Sequence, residues 1–206
     1  MTPQTKVAVI YYSSTGHVHA LAEAATEGAV KAGAEARLLK VAEQAPNDVI
    51  AANPFWSAHH QATRDIPEAT LEDLEWADAL VLGAPTRYRQ MASQLKQFID
   101  ITDGLRFQGK LANKVYAGFT SNGTGGGSEA TMIALNNIFT QWGGIIVPSG
   151  YTDQINSQHG DPYGHVYMEC GGRDPVGDIQ VAAARHMGSR VTEVATWLKG
   201  GLAAAA

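Results

Sequence analysis

Ser13, Ser14, Thr15, Gly16 and His17 follow directly on the apolar run Val7-Ala8-Val9-Ile10-Tyr11-Tyr12. A buried parallel strand that hands over to a helix through small hydroxyl residues leaves backbone N–H groups and hydroxyls without partners. The helix dipole favours an anion there, so phosphate binding is the chemistry this spacing offers. An ordinary βα turn with a Ser/Thr helix cap would use the same residues. The loop is neither the triphosphate P-loop, Gly-x-x-x-x-Gly-Lys-Ser/Thr, nor the dinucleotide fingerprint, Gly-x-Gly-x-x-Gly. It contains no Lys or Arg. Neutral donors of this kind suit one terminal phosphate, as in a flavin mononucleotide site.

Two further polar runs stand where strands end. Ala84-Pro85-Thr86-Arg87-Tyr88 follows the apolar segment Ala79–Gly83, and Ser121-Asn122-Gly123-Thr124-Gly125-Gly126-Gly127 follows Val115–Thr120. In an open parallel sheet, ligands bind beyond the carboxyl ends of the strands, so three such loops converge on one crevice.

The elements that would position them alternate. Strands are expected at Lys6–Tyr12, Ala36–Val41, Ala79–Gly83, Val115–Thr120 and Ile145–Val147. Helices are expected at His17–Ala32, Leu71–Trp76, Ala92–Thr102, Glu129–Trp142 and Asp178–Lys199. Asn53–Thr70 reads as a long polar loop, Thr152–Gly177 as an irregular insertion, and Ala203–Ala206 as a frayed tail. The pattern predicts an α/β fold with a five-stranded parallel sheet covered by helices on both faces.

The 206 residues suit a single domain, 1–206. At 45% hydrophobic and 17% charged, the chain can build a large core. A formal net charge of −5 and the lack of a basic stripe argue against nucleic acid. No apolar stretch reaches membrane-spanning length. Cys170 is the only cysteine, which excludes an intrachain disulfide. With the polar stretch Met1–Thr5 in place of a signal peptide, a cytoplasmic protein is expected. His59-His60 and His159…His165 match no usual metal spacing, so no metal is expected. Asp103, Asp153 and Asp161 form no convincing acid/base pair. Trp56 either bridges a subunit contact or caps the core.

Taken together and in this order, Tyr11-Tyr12-Ser13, Gly83-Ala84-Pro85-Thr86-Arg87-Tyr88, Gly123-Thr124-Gly125-Gly126-Gly127 and Gly160-Asp161-Pro162-Tyr163-Gly164 resemble the WrbA-type NAD(P)H:quinone oxidoreductases. Ala184-Arg185-His186-Met187-Gly188 adds a weaker match. The resemblance runs from about Lys6 to Leu198. It implies a flavodoxin-like doubly wound sheet of order 2-1-3-4-5, non-covalent FMN, two-electron reduction of quinones by NADH or NADPH, and a homotetramer. One pocket serving donor and quinone in turn would give ping-pong kinetics.

By the same resemblance, Ser13, Thr15, Gly16, His17 and Val18 would hold the phosphate, with His17 alternatively a solvated capping residue. Pro85, Thr86, Arg87 and Tyr88 would line the isoalloxazine edge. Ser121, Asn122, Gly123, Thr124, Gly125 and Gly126 would form the third flavin loop, and Gln141 would also touch the cofactor. The substrate pocket would comprise Tyr88, Arg106, Gln141, Trp142 and Tyr151.

The chain departs from the family pattern at several points. Val18 stands where flavodoxin-type loops close with Thr, and Thr15 where the family has an aromatic. Arg89-Gln90 replaces Gly-Asn, Arg106 replaces a Trp, and Gln141-Trp142 replaces a His pair. Gln141 can hydrogen-bond a quinone oxygen but carries no proton at neutral pH. The departures imply a retained flavin site and an altered substrate pocket. Two rivals fit parts of this pattern: a flavodoxin-type single-electron carrier, and a non-enzymatic regulatory interaction protein.

Overall fold

The computed structural model describes residues 4–123, 126–163, 165–168 and 175–205. Its strands are β1 (Lys6–Tyr11), β2 (Glu35–Lys40), β3 (Ala79–Arg87), β4 (Gln90–Met91), β5 (Val115–Asn122), β6 (Ile145–Ile146) and β7 (His165–Met168). Its helices are α1 (His17–Lys31), α2 (Asn47–Ala51), α3 (Pro54–Ala62), α4 (Leu71–Trp76), α5 (Ser93–Asp100), α6 (Asp103–Phe107), α7 (Ser128–Gln141), α8 (Gln154–His159) and α9 (Asp178–Ala205).

The parallel path through the sheet is β2-β1-β3-β5-β6, the five-strand order the sequence implies. Two short strands add to it. β4 folds back antiparallel on β3, and β7 lies parallel on the far end of β5. The alternation along β1 shows why both faces are covered. Val7, Val9 and Tyr11 pack in one core cluster, whereas Ala8, Ile10 and Tyr12 pack in the other. The first cluster is closed by α1 and α9, through Leu21, Ala25, Ala184 and Val191. The second is closed by α4, α5 and α7, through Leu74, Leu95, Phe98 and Leu135.

α1 and α9 cross at backbone distance. A Cβ on Gly28 would lie 1.9 Å from the Arg185 carbonyl oxygen, and one on Gly188 would lie 1.9 Å from that of Ala25. The crossing matters to the cleft described below because the loop that begins it leads directly into α1.

The structure corrects several sequence expectations. Asn53–Thr70 is not all loop, for α3 occupies its first half. Asn53 caps that helix, its Oδ1 accepting from Phe55 N at 3.0 Å and Trp56 N at 3.2 Å, with Pro54 in the first turn. The apolar pattern hides α3 because none of its residues is buried. β3 does not stop at Gly83 but runs on to Arg87, pairing Ala84 with Thr120 and Pro85 with Ser121. Thr152–Gly177 contains α8, capped by Asp153, and β7; residues 164 and 169–174, including Cys170, lie outside the described residues. The alanine tail is helical to Ala205, in keeping with the high helix propensity of alanine.

Candidate cofactor-binding and active site

β1, β3 and β5 end side by side, and the last residues of β3 and β5, with the loops after β1 and β5, border a solvent-open cleft with about 270 Å³ of empty space. It is lined by Ser13, Ser14, Thr15, His17, Val18, Pro85, Arg87, Ser121, Asn122 and Gly123. Nine of these ten are residues the sequence placed there; Ser14 is the addition.

The first loop is held by its own atoms. Ser13 Oγ accepts from Gly16 N at 3.1 Å, and Thr15 Oγ1 lies 3.3 Å from His17 Nδ1. Gly16 caps α1 with φ 104° and ψ −21°, in left-handed space, and no side chain caps the helix. The backbone thus presents the α1 N-terminus to the cleft, the arrangement that receives a phosphate.

Sequence reading found no cation in this loop, but the fold brings one from elsewhere. Arg87, at the end of β3, donates through Nη2 to Ser14 Oγ at 3.1 Å. Three hydroxyls, a helix N-terminus and one guanidinium form a donor set suited to a monoester phosphate, so the residues fit FMN.

The other loops are tied from below. Thr86 faces away from the cleft: its Oγ1 lies 2.9 Å from Thr120 Oγ1 and donates to Thr131 Oγ1 at 3.0 Å. Asn122 Nδ2 donates to Ser128 Oγ, fastening the third loop to α7. Gly126 belongs to that loop but does not line the cleft, and Thr124 and Gly125 lie outside the described residues.

Tyr88 is 100% exposed at the tip of the β3–β4 hairpin. Tyr151, also exposed, follows the carboxyl end of β6. The remaining predicted pocket residues stand at the opposite edge of the sheet. Trp142 is 5% exposed and packs on Tyr116 and Phe139, with ring centroids 5.6 and 6.2 Å apart. Tyr116 is the second residue of β5, about 16 Å along the strand from Ser121 at its other end. Gln141 precedes Trp142 and is exposed. Arg106 lies in α6, paired with Asp103 at 2.8 Å. That segment leads to Leu111, whose carbonyl accepts from Tyr116 Oη at 2.6 Å. α5 and α7 run antiparallel to the strands, so residues at their C-terminal ends arrive at the amino edge. Within one chain, Arg106, Gln141 and Trp142 are not part of the cleft.

Behind the first loop lies a network that periodicity did not reveal. Glu43, just past β2, accepts from Tyr12 Oη at 2.9 Å, Trp56 Nε1 at 3.0 Å, Gln94 Nε2 at 2.9 Å and the backbone N–H groups of Gln44 and Ala45. Burial would raise its pKa, but the hydrogen bonds outweigh that effect and hold it below the usual carboxylate value. Burial, reinforced by Glu43, raises the Tyr12 phenol well above its ordinary range. Trp56, left open by the sequence, is thereby a strut between α3 and the end of β1. The clue in the sequence was Asn53-Pro54, which starts the helix that delivers it.

α3 also brings His59 against the loop. Its Nδ1 lies 3.5 Å from where a Gly16 Cβ would stand, and its ring meets that of His19 at a tilt of 51°, centroids 5.3 Å apart. Burial first, then His19, His60, Lys40 and His17, depress its pKa to about 4. The unfolded chain therefore binds more protons than the folded one between about pH 6.5 and 4. Stability from His59 is complete above that window and declines as pH falls through it. His59→Gln is expected to flatten the fall of Tm over this range, by about 3 °C for each kcal/mol of linkage removed, read by scanning calorimetry. Superimposable pH profiles would show that the imidazole titrates as it does in the unfolded chain.

The chain matches the family model of NADPH-dependent FMN reductases over residues 5–156. It is 43% identical over 202 residues to a protein of Deinococcus radiodurans named NAD(P)H dehydrogenase (quinone), covering 97% of this chain and 100% of that one. A protein of the same name from Azorhizobium caulinodans is 39% identical, with 95% and 99% covered. Among solved structures, a WrbA-like flavodoxin from Agrobacterium tumefaciens superposes with a TM-score of 0.67 at 26% identity, over 94% of this chain and 99% of that one. An archaeal flavodoxin shares the fold, with a TM-score of 0.63 at 19% identity over 93% and 99% of the two chains. With its phosphate-type loop, its Pro-Thr-Arg strand end and its third loop gathered on one cleft, the chain belongs to the NADPH-dependent FMN reductase family and stands with the WrbA-like proteins in it.

Proposed function

We propose that this protein is an FMN-dependent oxidoreductase that reduces quinones by two electrons at the expense of NADH or NADPH. The observation that carries the reading is the cleft: three strand ends, a bare helix N-terminus and Arg87 around one phosphate-sized donor set. Relatives at 43% and 39% identity over nearly full length carry the quinone dehydrogenase name.

FMN, when bound, supplies the hydride chemistry between donor and quinone. The chain holds and orients it. Ser13, Thr15, the first-turn N–H groups of α1 and Arg87 bind the phosphate. Pro85 and Ser121–Gly123, which line the same cleft, would hold the rest of the cofactor. Tyr88 and Tyr151 offer aromatic surface at the carboxyl edge.

The same reading takes residues 1–206 as one flavodoxin-like domain in a homotetramer. Phe107 and Ile101 are exposed apolar side chains near the amino edge, suited to a contact between copies. In such an assembly Arg106 and Gln141 would serve a neighbouring copy's pocket, because they cannot serve their own. Trp142 remains a core residue. A cytoplasmic location accords with the single cysteine. Among the described residues, no helix is long and apolar enough to cross a membrane.

Anaerobic NADH or NADPH is expected to bleach the visible band of the FMN-loaded protein, and benzoquinone to restore it. Initial rates with both substrates varied should give parallel lines. Bound FMN that neither donor bleaches would favour a single-electron carrier. A chain that takes up no FMN would favour the interaction-protein reading.

A further inference from the structure

Among the described residues Arg89 is a cation without a partner, at the tip of the hairpin that follows the cleft-lining Arg87. Each of the other six described arginines has a partner: Arg37 with Asp73, Arg64 with Asp65, Arg87 with Ser14, Arg106 with Asp103, Arg185 with Glu27 and Arg190 with the Pro148 carbonyl. Among the described residues, none hydrogen-bonds or ion-pairs with Arg89, in a chain whose net charge is −5.

Its placement is specific. Thr86 pairs with Met91 and Arg87 with Gln90, so Tyr88 and Arg89 form the two-residue tip of a hairpin. Both have positive φ, 50° and 64°, the pattern of a type I′ turn that usually takes Asn and Gly. A non-glycine residue held there is strained, and the strain is not relieved by any bond of the guanidinium. The Arg89 stem lies across Gly127, its Cγ 3.0 Å from where a Cβ on that glycine would stand. Arg89 thus bridges the β3–β4 hairpin and the start of α7, with its side chain exposed to solvent two residues beyond Arg87, which lines the cleft.

We propose that Arg89 is a specificity-determining residue that recognises a phosphate anion of the nicotinamide donor. The inference rests on the reading of this site as one that uses such a donor. A guanidinium at that tip can fork onto phosphate oxygens, whereas an uncharged side chain or a lysine point charge cannot. The source of the anion is either the 2′-phosphate, which only NADPH carries, or the pyrophosphate, which both donors share.

The test uses the flavin-loaded protein with unreactive probes, 2′-phospho-ADP-ribose and ADP-ribose, bound in a calorimeter, alongside KM and kcat for both donors. In Arg89→Gln, Kd for 2′-phospho-ADP-ribose should rise about tenfold, the loss expected for one charge-assisted bond, with KM for NADPH following and kcat little changed. If ADP-ribose and NADH keep their values, the 2′-phosphate is the anion read. If both probes weaken together, it is the pyrophosphate. Arg89→Lys should recover only part of the affinity. Arg89→Gly removes the cation while relaxing the turn, so it should bind as poorly as Arg89→Gln with an undiminished Tm, which separates recognition from folding. Unchanged affinity for both probes in Arg89→Gln and Arg89→Gly overturns the assignment. Failure of wild type to be bleached by either donor overturns the functional reading instead, and the calorimetric comparison still judges Arg89 by itself.

Discussion

Gly16→Val is expected to weaken FMN binding at least a hundredfold in a protein that still folds. Gly16 holds φ 104°, a conformation a β-branched residue adopts only as an outlier. The left-handed region costs an L-residue roughly 1–2 kcal/mol, and His59 Nδ1 already stands in van der Waals contact, 3.5 Å from the Cβ position, so the valine methyls add crowding on that side. The loop must therefore re-form, and in doing so it breaks the Gly16 N–H to Ser13 Oγ bond and moves Ser13, Thr15 and the start of α1. Losing two hydrogen bonds to a charged phosphate, at about 1.5–3 kcal/mol each, amounts to roughly two to four orders of magnitude in Kd. Quenching of flavin fluorescence on titration measures it. Riboflavin, which lacks the phosphate, should lose much less, and that contrast assigns the loss to the loop. An FMN Kd within threefold of wild type would place the phosphate elsewhere.

The second large effect is on stability. Gly188→Val should destabilise the fold by about 3 kcal/mol or more, at the upper end of what overpacking costs. A Cβ at residue 188 meets the Ala25 carbonyl oxygen at 1.9 Å, and that neighbour is helix backbone, which cannot rotate away. α1 and α9 must separate, opening the cluster formed by Leu21, Ala25, Ala184 and Val191. For a chain of this size the expected loss of Tm is about 6–12 °C. Gly188→Ala is the sharper test of cause. Helix propensity alone would stabilise it by about 1 kcal/mol, so a net fall in Tm shows that the crossing distance prevails. Gly28→Ala and Gly188→Ala act on the same crossing, so the double variant should lose less than the sum of the two. Because the first loop of the cleft runs into α1, these variants should also weaken FMN binding. A Tm for Gly188→Ala above that of wild type would show that the helices tolerate the methyl.

The sheet and the cleft's address are legible from the order of residues along the chain. The apolar runs of β1, β3 and β5 are buried on both faces, so their period and length mark them without tertiary information. The stripe of Val18, Leu21, Ala22, Ala25 and Ala29 marks α1 in the same way. Parallel strands bring their carboxyl ends together, and the hydroxyl and glycine residues that follow each strand therefore meet. That is why Ser13, Thr15, Pro85, Ser121 and Gly123 line one cleft as expected.

The features that emerge only on packing involve partners distant in sequence or elements without a buried face. α3 has no buried residue, so no apolar period announces it, yet it delivers Trp56 to Glu43 and His59 to Gly16. The cation in the cleft comes from Arg87, 73 residues beyond Ser14. Arg106, Gln141 and Trp142 resemble pocket residues in sequence but follow helices that run against the strands, which carries them to the amino edge. Local periodicity reports how each element is buried; only the packed directions of the elements determine which of their ends share a site.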